Sequence, residues 1–353
     1  MEVAIVGGGL AGAVTALWCQ HRGLDVRILE RRRRAGTTLC GEGLSGRALD
    51  ALAPVFDARP FVDRSFRGAR WRFPGTTVFV HRTCHTMARE DWIPAMLEAF
   101  EARGGTVEYG TRGEAVDADH VVGADGPGSR TRARVGGRVQ TRTGIQARVE
   151  TDAATPWLEF VTDKQFSQEY AWWFPRDGVH NIGLLAEQDG DDEARLAAFI
   201  EHLGIEARVC TTEAYPIAFG GDRVQSPDGD VSLIGDAAGL TNPVTKGGIA
   251  AIVHAAPILA DALARGRPML YAQRLRRHPL RHPSYLRALR RLRRWSNDDL
   301  RHRLAAAPDE VHVGGPGTRW KPIAAGAALR RPWTLPAMAD FYQATVRSVD
   351  WSW

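Results

Sequence analysis

The chain has 353 residues, of which 44% are hydrophobic, and a formal net charge of +5. This length suits two domains rather than one small core, and no run approaches the roughly 18 apolar residues that a membrane-spanning helix needs. The first apolar run, from Val3 to Val6, is too short for a secretory signal, so we expect a protein that folds in the cytoplasm. The cysteines are scattered, which predicts neither a disulfide scaffold nor a metal site: Cys19, Cys40, Cys84 and Cys210.

A strand, a helix and a second strand open the chain. Glu2 to Val6 is typical of a strand, Ala11 to Arg22 of a helix, and Asp25 to Leu29 of a strand that ends at Glu30. Between the first strand and the helix stands a Gly-x-Gly-x-x-Gly motif, Gly7 to Gly12. In this context its glycines allow a tight turn, the approach of a pyrophosphate and close packing of the helix, so the motif predicts a dinucleotide site.

The phosphates of that dinucleotide are expected at the helix N-terminus, where backbone amides and the helix dipole favour negative charge. A carboxylate at the end of the second strand can accept hydrogen bonds from a ribose. The predicted contacts of this first motif are Gly7, Gly9, Leu10, Ala11, Gly12, Glu30 and Arg31.

The next elements predict a cofactor domain that an antiparallel sheet interrupts. Arg89 to Arg103 favours a helix, Gly104 to Tyr109 leads toward a strand, and His120 to Val122 favours an apolar strand. Alternating strands with aromatic residues follow: Gly144 to Val149, Trp157 to Thr162, Tyr170 to Phe174 and Asn181 to Leu185. A strand at Val231 to Ile234 and a long helix at Gly248 to Leu263 then return to the cofactor domain.

Two later motifs indicate that the dinucleotide is FAD. Val122 to Gly126, with Ser129 and Arg132 after it, resembles the GADG segment of flavoproteins of the para-hydroxybenzoate hydroxylase type. Gly235 to Gly239, with Pro243 and Gly247-Gly248-Ile249 after it, resembles the third FAD motif of that group. The resemblance implies that Asp236 binds the ribityl chain and that the following loop lies along the flavin ring. It adds these predicted FAD contacts: Arg89, Asp125, Gly126, Gly235, Asp236, Pro243, Gly247, Gly248 and Ile249.

A narrower resemblance rests on two further segments. Cys40 to Ser45 is similar to the Cys-Gly-rich segment of geranylgeranyl reductases, and Tyr170-x-Trp172-x-Phe174-Pro175 is similar to their YxWxFP motif. The likeness covers roughly residues 1 to 265. It implies an FAD-dependent reductase that saturates carbon–carbon double bonds of an isoprenoid or other hydrophobic substrate. Because a second nucleotide-binding motif is missing from the sequence, we expect an external electron donor, either NAD(P)H or a ferredoxin.

These motifs together predict an α/β fold: a Rossmann-type FAD-binding domain, an inserted antiparallel β-sheet substrate domain and a helical C-terminal region. We place the discontinuous FAD-binding domain at residues 1–60, 85–135 and 215–265. The substrate domain is expected at 61–84 and 136–214, and the helical region at 266–353. Gly110 to Asp119 is too short for the β-meander that relatives carry, so the chain is expected to be a minimal version of the fold.

Candidate substrate and catalytic residues follow from the narrower resemblance. Tyr170, Trp172 and Phe174 alternate along one strand and would line one face, with Trp173 on the other; the alternative is that they only form the core of the sheet. The catalytic candidates are Cys40 as a proton donor, its neighbours Gly41 and Glu42, and Lys246.

Each catalytic candidate has a plainer alternative. Cys40 could be an inert buried thiol and Glu42 a solvated carboxylate. Lys246 stands where the resemblance leads us to expect glycine; it is a candidate partner for reduced flavin or an anionic headgroup, or else a solvent-facing loop residue.

Two alternatives concern function. A monooxygenase of the same fold, or a redox-neutral flavin cyclase, would share the FAD motifs. In the tail, an arginine-rich segment interleaved with an apolar stripe favours either peripheral contact with an anionic membrane, on the inner face, or a solvated helix that packs by the stripe; nucleic acid is not the expected partner. The arginines are Arg287, Arg290, Arg291, Arg293 and Arg294, and the stripe is Leu286, Leu289, Leu292 and Trp295.

Overall fold

The computed structural model describes residues 1–34, 40–113, 116–305, 307, 309–313 and 339. Its strands are β1 (Glu2–Val6), β2 (Asp25–Glu30), β3 (Gly43–Ser45), β4 (Val62–Phe73), β5 (Thr76–Met87), β6 (Thr106–Tyr109), β7 (His120–Gly123), β8 (Gln140–Glu150), β9 (Trp157–Val161), β10 (Ala171–Phe174), β11 (His180–Leu185), β12 (Arg208–Phe219), β13 (Val231–Leu233) and β14 (Glu310–His312). Its α-helices are α1 (Leu10–His21), α2 (Gly46–Leu52), α3 (Arg89–Glu101), α4 (Thr131–Val135), α5 (Asp192–His202), α6 (Ile249–Ala264), α7 (Met269–Arg277), α8 (Ser284–Arg294) and α9 (Asn297–Leu304).

The first sheet is parallel and has the strand order β13-β7-β1-β2-β6. Its central strands are apolar along their whole length because helices cover both faces of such a sheet. Val3, Ala4 and Ile5 of β1 are fully buried, as is Val122 of β7. The carboxyl ends of these strands meet at one edge, so the residues that follow β1, β2, β7 and β13 converge there. The predicted Rossmann-type domain is confirmed.

The second sheet has nine strands in the order β12-β8-β11-β10-β9-β4-β5-β14, with β3 paired to β5. Most pairs are antiparallel, whereas β4 with β9 and β5 with β14 are parallel. One face packs against α8 around Phe160, and the other packs against α5 around Phe199. The predicted antiparallel sheet is confirmed. The sheet extends through Met87 and Phe219, beyond the domain limits at 84 and 214 that we predicted.

The C-terminal region contains the predicted helices, of which α8 carries the arginine-rich segment. Its apolar stripe faces the protein: Leu289, Leu292 and Trp295 are buried. Of its arginines, Arg287, Arg290 and Arg294 are exposed, while Arg291 and Arg293 are half-buried. The stripe therefore packs as in the plainer alternative. Residues 314–338 and 340–353 of the predicted helical region lie outside the described residues.

A buried histidine in the first sheet gives a prediction about acid stability. The His120 ring is 1% exposed and lies 3.0 Å from the Ser232 hydroxyl, and burial lowers the pKa of His120 from 6.5 to about 4. Between these pH values His120 binds a proton in the unfolded chain but stays neutral in the folded chain, so the free energy of unfolding falls as the pH drops from 6.5 to 4. The loss from this group approaches about 3 kcal/mol. Urea unfolding measures the free energy of unfolding across this pH range, and its fall toward pH 4 should be smaller by that amount in His120→Gln than in the wild type. An equal fall in the two proteins would contradict this account.

Candidate flavin and substrate site

A cavity of about 310 Å³ lies at the carboxyl edge of the parallel sheet. This is within the size range of small-molecule sites, roughly 300 to 1,000 Å³. All three predicted FAD motifs contribute to its wall. The predicted site residues that line it are Gly7, Gly9, Leu10, Ala11, Glu30, Arg31, Cys40, Gly41, Arg89, Asp125, Gly126, Asp236, Lys246, Gly248 and Ile249. The other predicted site residues are not part of this lining: Gly12, Glu42, Tyr170, Trp172, Phe174, Gly235, Pro243 and Gly247.

The glycine turn after β1 has the geometry that a bound pyrophosphate needs. Gly7 has φ +107°, and a Cβ on Gly12 would lie 1.8 Å from the Gly7 carbonyl oxygen, so both positions require glycine. A Cβ on Gly9, by contrast, would have no atom of the described residues within 4 Å. Gly9 thus leaves an open approach to the backbone at the N-terminus of α1, where a phosphate is favoured. The turn fits the phosphates of FAD.

Two acidic side chains of the cavity wall lie beside the glycine turn. Glu30 is 7% exposed; it accepts a hydrogen bond from the Gly8 amide (2.7 Å) and another from the Arg32 amide (2.8 Å). The carboxylate is therefore fixed beside the glycine turn. Asp125 accepts hydrogen bonds from the Ser129 hydroxyl (2.6 Å) and the Arg130 amide (2.8 Å), at the start of α4. Its carboxylate orders the turn itself.

Asp236 follows β13 and is the predicted partner of the ribityl chain. It accepts hydrogen bonds from the Ala218 amide (3.2 Å) and the Thr241 hydroxyl (3.0 Å). Burial raises the pKa of Asp236 although these bonds, with Arg89 and Arg132, act in the opposite direction. A carboxylate in such surroundings gains from additional hydroxyl donors. The site therefore fits the polyol chain of FAD.

The Cys40 turn, residues Cys40 to Glu42, lies at the other side of the cavity. The Glu42 amide donates to the Cys40 Sγ atom (3.2 Å). Side-chain amides hold its carbonyls: Gln146 Nε2 donates to the Cys40 oxygen (3.3 Å), and Asn181 Nδ2 donates to the Gly41 oxygen (3.3 Å). The turn is therefore rigid, and Cys40 and Gly41 face the cavity.

Glu42 has φ +64° and is 2% exposed, so it is neither solvated nor part of the cavity wall. Its carboxylate accepts hydrogen bonds from Arg176 (2.8 Å) and Asn181 (2.9 Å). Arg176 also binds Asp63 (2.8 Å) and Glu90 (2.9 Å), and Glu90 directly follows Arg89 in the cavity wall. We call Glu42, Asp63, Glu90, Arg176 and Asn181 the Arg176 network. Through it the Cys40 turn, β4, α3 and the end of β10 are joined.

Comparisons with known proteins agree with this geometry. Residues 5–61 match the model of an NAD(P)-binding Rossmann-like domain. Digeranylgeranylglycerophospholipid reductase of Methanosarcina acetivorans is 24% identical, over 74% of each chain. A solved geranylgeranyl bacteriochlorophyll reductase-like protein of Thermoplasma acidophilum superposes with a TM-score of 0.79 at 20% identity, over 96% of this chain and 98% of that one. A flavin-dependent halogenase superposes with a TM-score of 0.68 at 18% identity, over 94% and 78%.

The chain is an FAD-dependent oxidoreductase related to the geranylgeranyl reductases. Its three FAD motifs, far apart in sequence, line one cavity, and the superposed halogenase is a flavin-dependent enzyme. Among the helices of the described residues, none is long and apolar enough to cross a bilayer.

The aromatic strand of the flavoenzyme packs behind the cavity. Tyr170, Trp172 and Phe174 lie on one face, and Trp173 lies on the other, where its Nε1 donates to His180 (2.8 Å). The three rings are 4 to 9% exposed and pack in one cluster with Trp71 and Phe160. Phe174 also lies directly against the Cys40 turn, 2.9 Å from the Cβ position of Gly41. This arrangement favours a core that supports the site over a wall in direct contact with substrate.

Lys246 is not the solvent-facing loop residue of the plainer alternative, because it is buried in the cavity wall; its pairing with reduced flavin or an anionic headgroup stays a prediction. Its side chain is 2% exposed, and its Nζ lies 2.5 Å from a Glu169 carboxylate oxygen. Arg142 (3.2 Å) and Arg293 of α8 (2.6 Å) also face the fully buried Glu169. Burial lowers the pKa of Lys246, and Glu169 opposes that effect. Beside it, the Tyr170 hydroxyl donates to the Thr245 carbonyl (2.5 Å), so two contacts fix the predicted flavin loop to the sheet.

Sequence reasoning missed the wall that β12 contributes. Tyr215 and Ile217 face the cavity on alternate positions of this strand, and Thr111 and Arg112 line it after β6. β12 is mostly exposed before Ile217, so it lacks the apolar alternation that identifies a half-buried strand. The spacing of Tyr215 and Ile217, two residues apart on one strand, was the signal in the sequence that could have placed both on the same face.

Proposed function

We propose that the flavoenzyme reduces carbon–carbon double bonds of an isoprenoid or similarly hydrophobic substrate. The observation that carries this proposal is the Cys40 turn, which presents a thiol to the FAD cavity in a fixed orientation. A relative supports it: the protein of Methanosarcina acetivorans that is 24% identical to this chain is named a digeranylgeranylglycerophospholipid reductase. The substrate class and the roles given to the residues below are part of the proposal.

FAD, when bound and reduced, supplies the hydride. The chain must supply a proton to the second alkene carbon, and Cys40 is the acid that we assign to this step. The Glu42 amide, 3.2 Å from Sγ, would stabilise the thiolate that remains. Solvent then returns the proton to the thiol, and the cofactor would regain its hydride as two electrons from an external donor together with a proton from the donor or from solvent. The two hydrogens added to the alkene are thereby accounted for.

The cavity also offers the dry surface that an alkene requires. Ile217, Ile249 and Ile252 contribute apolar side chains to its wall. Binding a hydrocarbon there removes apolar area from water, which is worth roughly 25 cal/mol per Å². The same burial keeps water away from the reacting carbons.

Hydroxylation or halogenation with dioxygen is the competing function, because a flavin-dependent halogenase shares the fold. Such chemistry gives no role to a thiol held at the cavity, whereas alkene reduction does. Oxygen consumption that depends on the substrate would support the competing function. Substrate conversion without oxygen would support reduction.

The donor and the place of work are also proposals. NAD(P)H or a ferredoxin would deliver the electrons. The exposed Arg287, Arg290 and Arg294 of α8 would suit the anionic headgroups of a membrane that holds the lipid substrate. Since the apolar stripe packs inward, such contact would be electrostatic and would weaken with salt.

Cys40→Ala is expected to lower turnover roughly 100-fold or more while FAD content stays unchanged, because a general acid contributes about 10²- to 10⁴-fold. Steady-state product formation and flavin absorbance measure the two quantities. Cys210→Ala is the matched control, since Cys210 is exposed on β12 and outside the cavity wall. Unchanged turnover in Cys40→Ala would remove the assigned role of the thiol, and loss of FAD would show a role in cofactor binding instead.

A further inference from the structure

We propose that His81, Glu310 and His312 bind a divalent transition-metal ion such as Zn²⁺. The ligand atoms of these three side chains all lie within 4.8 Å of one another. The cluster is at the edge of the second sheet, where β14 pairs with β5, and none of the three residues lines the FAD cavity. This site is independent of the proposed reductase activity.

The strand register brings the cluster together. β14 and β5 are parallel, and His312 is paired with His81. Neighbouring residues of paired strands share a face, so the two rings lie side by side; Glu310 is two residues before His312 and shares that face too. A register shift of one residue would move His312 and Glu310 to the opposite face. The rings are parallel within 8°, with centroids 4.3 Å apart.

The distances suit a metal ion. Glu310 Oε2 lies 3.8 Å from His81 Nε2 and 3.6 Å from His312 Nε2. Tetrahedral zinc with bonds of about 2.1 Å separates its ligand atoms by roughly 3.4 Å. Parallel rings cannot both direct a nitrogen lone pair at one ion, so the His312 ring, whose side chain is 61% exposed, would rotate out of the stack to complete the site. In addition, His81 Nε2 is buried and has no hydrogen-bond partner among the described residues. A metal ion would satisfy this nitrogen.

The donor set indicates which metal. Two imidazoles and one carboxylate favour zinc or a neighbouring first-row ion over Mg²⁺ or Ca²⁺, which prefer oxygen ligands. Three protein ligands leave a fourth position for water. Trp157 packs edge-on against the His81 ring (5.2 Å) and so limits its rotation. The expected consequence is mechanical: the ion would cross-link the three-residue β14 to β5, which lies far earlier in the chain.

Calorimetric titration tests this proposal on the full-length, FAD-loaded protein after treatment with a chelator. With ZnCl₂ as the titrant, we expect one ion per chain in the wild type. His81→Ala and His312→Ala should each weaken zinc binding at least tenfold. Zinc should also raise the melting temperature of the wild type but not of His312→Ala, a substitution at an exposed position that leaves the core intact. His202→Ala, an exposed histidine on α5, is the control and should bind as the wild type does.

Co²⁺ in place of zinc identifies the ligands by its visible spectrum. We expect the cobalt spectrum of a site with nitrogen and oxygen ligands, that is, a spectrum without thiolate charge-transfer bands. Zinc binding of unchanged affinity in both histidine variants would overturn the proposal. Thiolate bands in the cobalt spectrum, or an absence of saturable binding up to millimolar zinc, would overturn it as well.

Discussion

Gly12→Ala is expected to lose FAD and to destabilise the apoprotein by about 3 kcal/mol, the upper part of the range of roughly 1 to 3 kcal/mol that overpacking costs. The added Cβ would lie 1.8 Å from the Gly7 carbonyl oxygen. The Gly7 backbone is itself held in place, because its amide donates to the Leu29 carbonyl (2.8 Å) and the Ala124 carbonyl oxygen lies 2.6 Å from the Cβ position of Gly7. Chemical unfolding of the apoprotein and flavin absorbance after gel filtration measure the two losses.

Gly9→Ala is the matched comparison three residues earlier. Gly9 has φ −75°, which alanine adopts freely, and the added methyl would meet no atom of the described residues within 4 Å. We therefore expect an apoprotein as stable as the wild type, within about 0.5 kcal/mol, but with strongly weakened FAD binding, because the methyl occupies the approach of the pyrophosphate. Normal FAD affinity in Gly9→Ala would show that the phosphates bind elsewhere.

Arg176→Met is expected to reduce the free energy of unfolding by roughly 3 to 5 kcal/mol, because removing one partner of a buried ion pair leaves the other charges uncompensated. Arg176 is 8% exposed and pairs with Glu42, Asp63 and Glu90. Arg176→Lys keeps the charge but not the forked geometry of the guanidinium, so its free energy of unfolding should lie between those of the wild type and Arg176→Met. Arg148→Met is the control: this arginine lies 3.5 Å from Glu42 with a side chain 36% exposed, so its loss should cost less than about 1 kcal/mol.

The same variant tests whether the Arg176 network positions the Cys40 thiol, to which we assign the proton transfer. If Glu42 relaxes, its amide no longer donates to the Cys40 Sγ atom, and the thiolate loses that stabilisation. The rate of Cys40 alkylation at a fixed pH, measured in a Cys210→Ser background, should then fall relative to the protein with Arg176. An unchanged alkylation rate in folded, FAD-loaded Arg176→Met would show that the network is only structural.

The parts of the fold that the sequence predicted are those with local signals. β1, α1 and β2 are specified by an apolar run, three glycines and a second apolar run within about thirty residues. The alternation of Tyr170, Trp172 and Phe174 likewise predicted which rings share a face, and the structure confirms it. Periodicity reports which face a residue occupies. It does not report what that face contacts, so packing against the Cys40 turn could not be foreseen.

The parts that the sequence did not predict depend on long-range pairing. We placed residues 61–84 in the sheet domain without predicting their strands, because the hairpin of β4 and β5 interleaves arginines with apolar residues. Two of those arginines pair across strands: Arg70 (2.8 Å) and Arg72 (3.3 Å) both bind Glu159 of β9. Lys246 looked like a departure from a family pattern because its partner, Glu169, is 77 residues away. The histidine cluster joins β5 to β14 in the same way. From the sequence alone, a charged residue is predicted to face solvent, because its partner on another strand cannot be identified.

The central claim is that the FAD cavity reduces alkenes, and mass spectrometry of the product tests it most directly. The protein is incubated without oxygen with dithionite and a polyprenyl lipid, and wild type is compared with Cys40→Ala. We predict that the wild-type product gains two hydrogen atoms for each double bond reduced, and that Cys40→Ala gives little of it while retaining FAD. An unaltered lipid without oxygen, together with a product that gains an oxygen atom in air, would contradict the account and identify a monooxygenase.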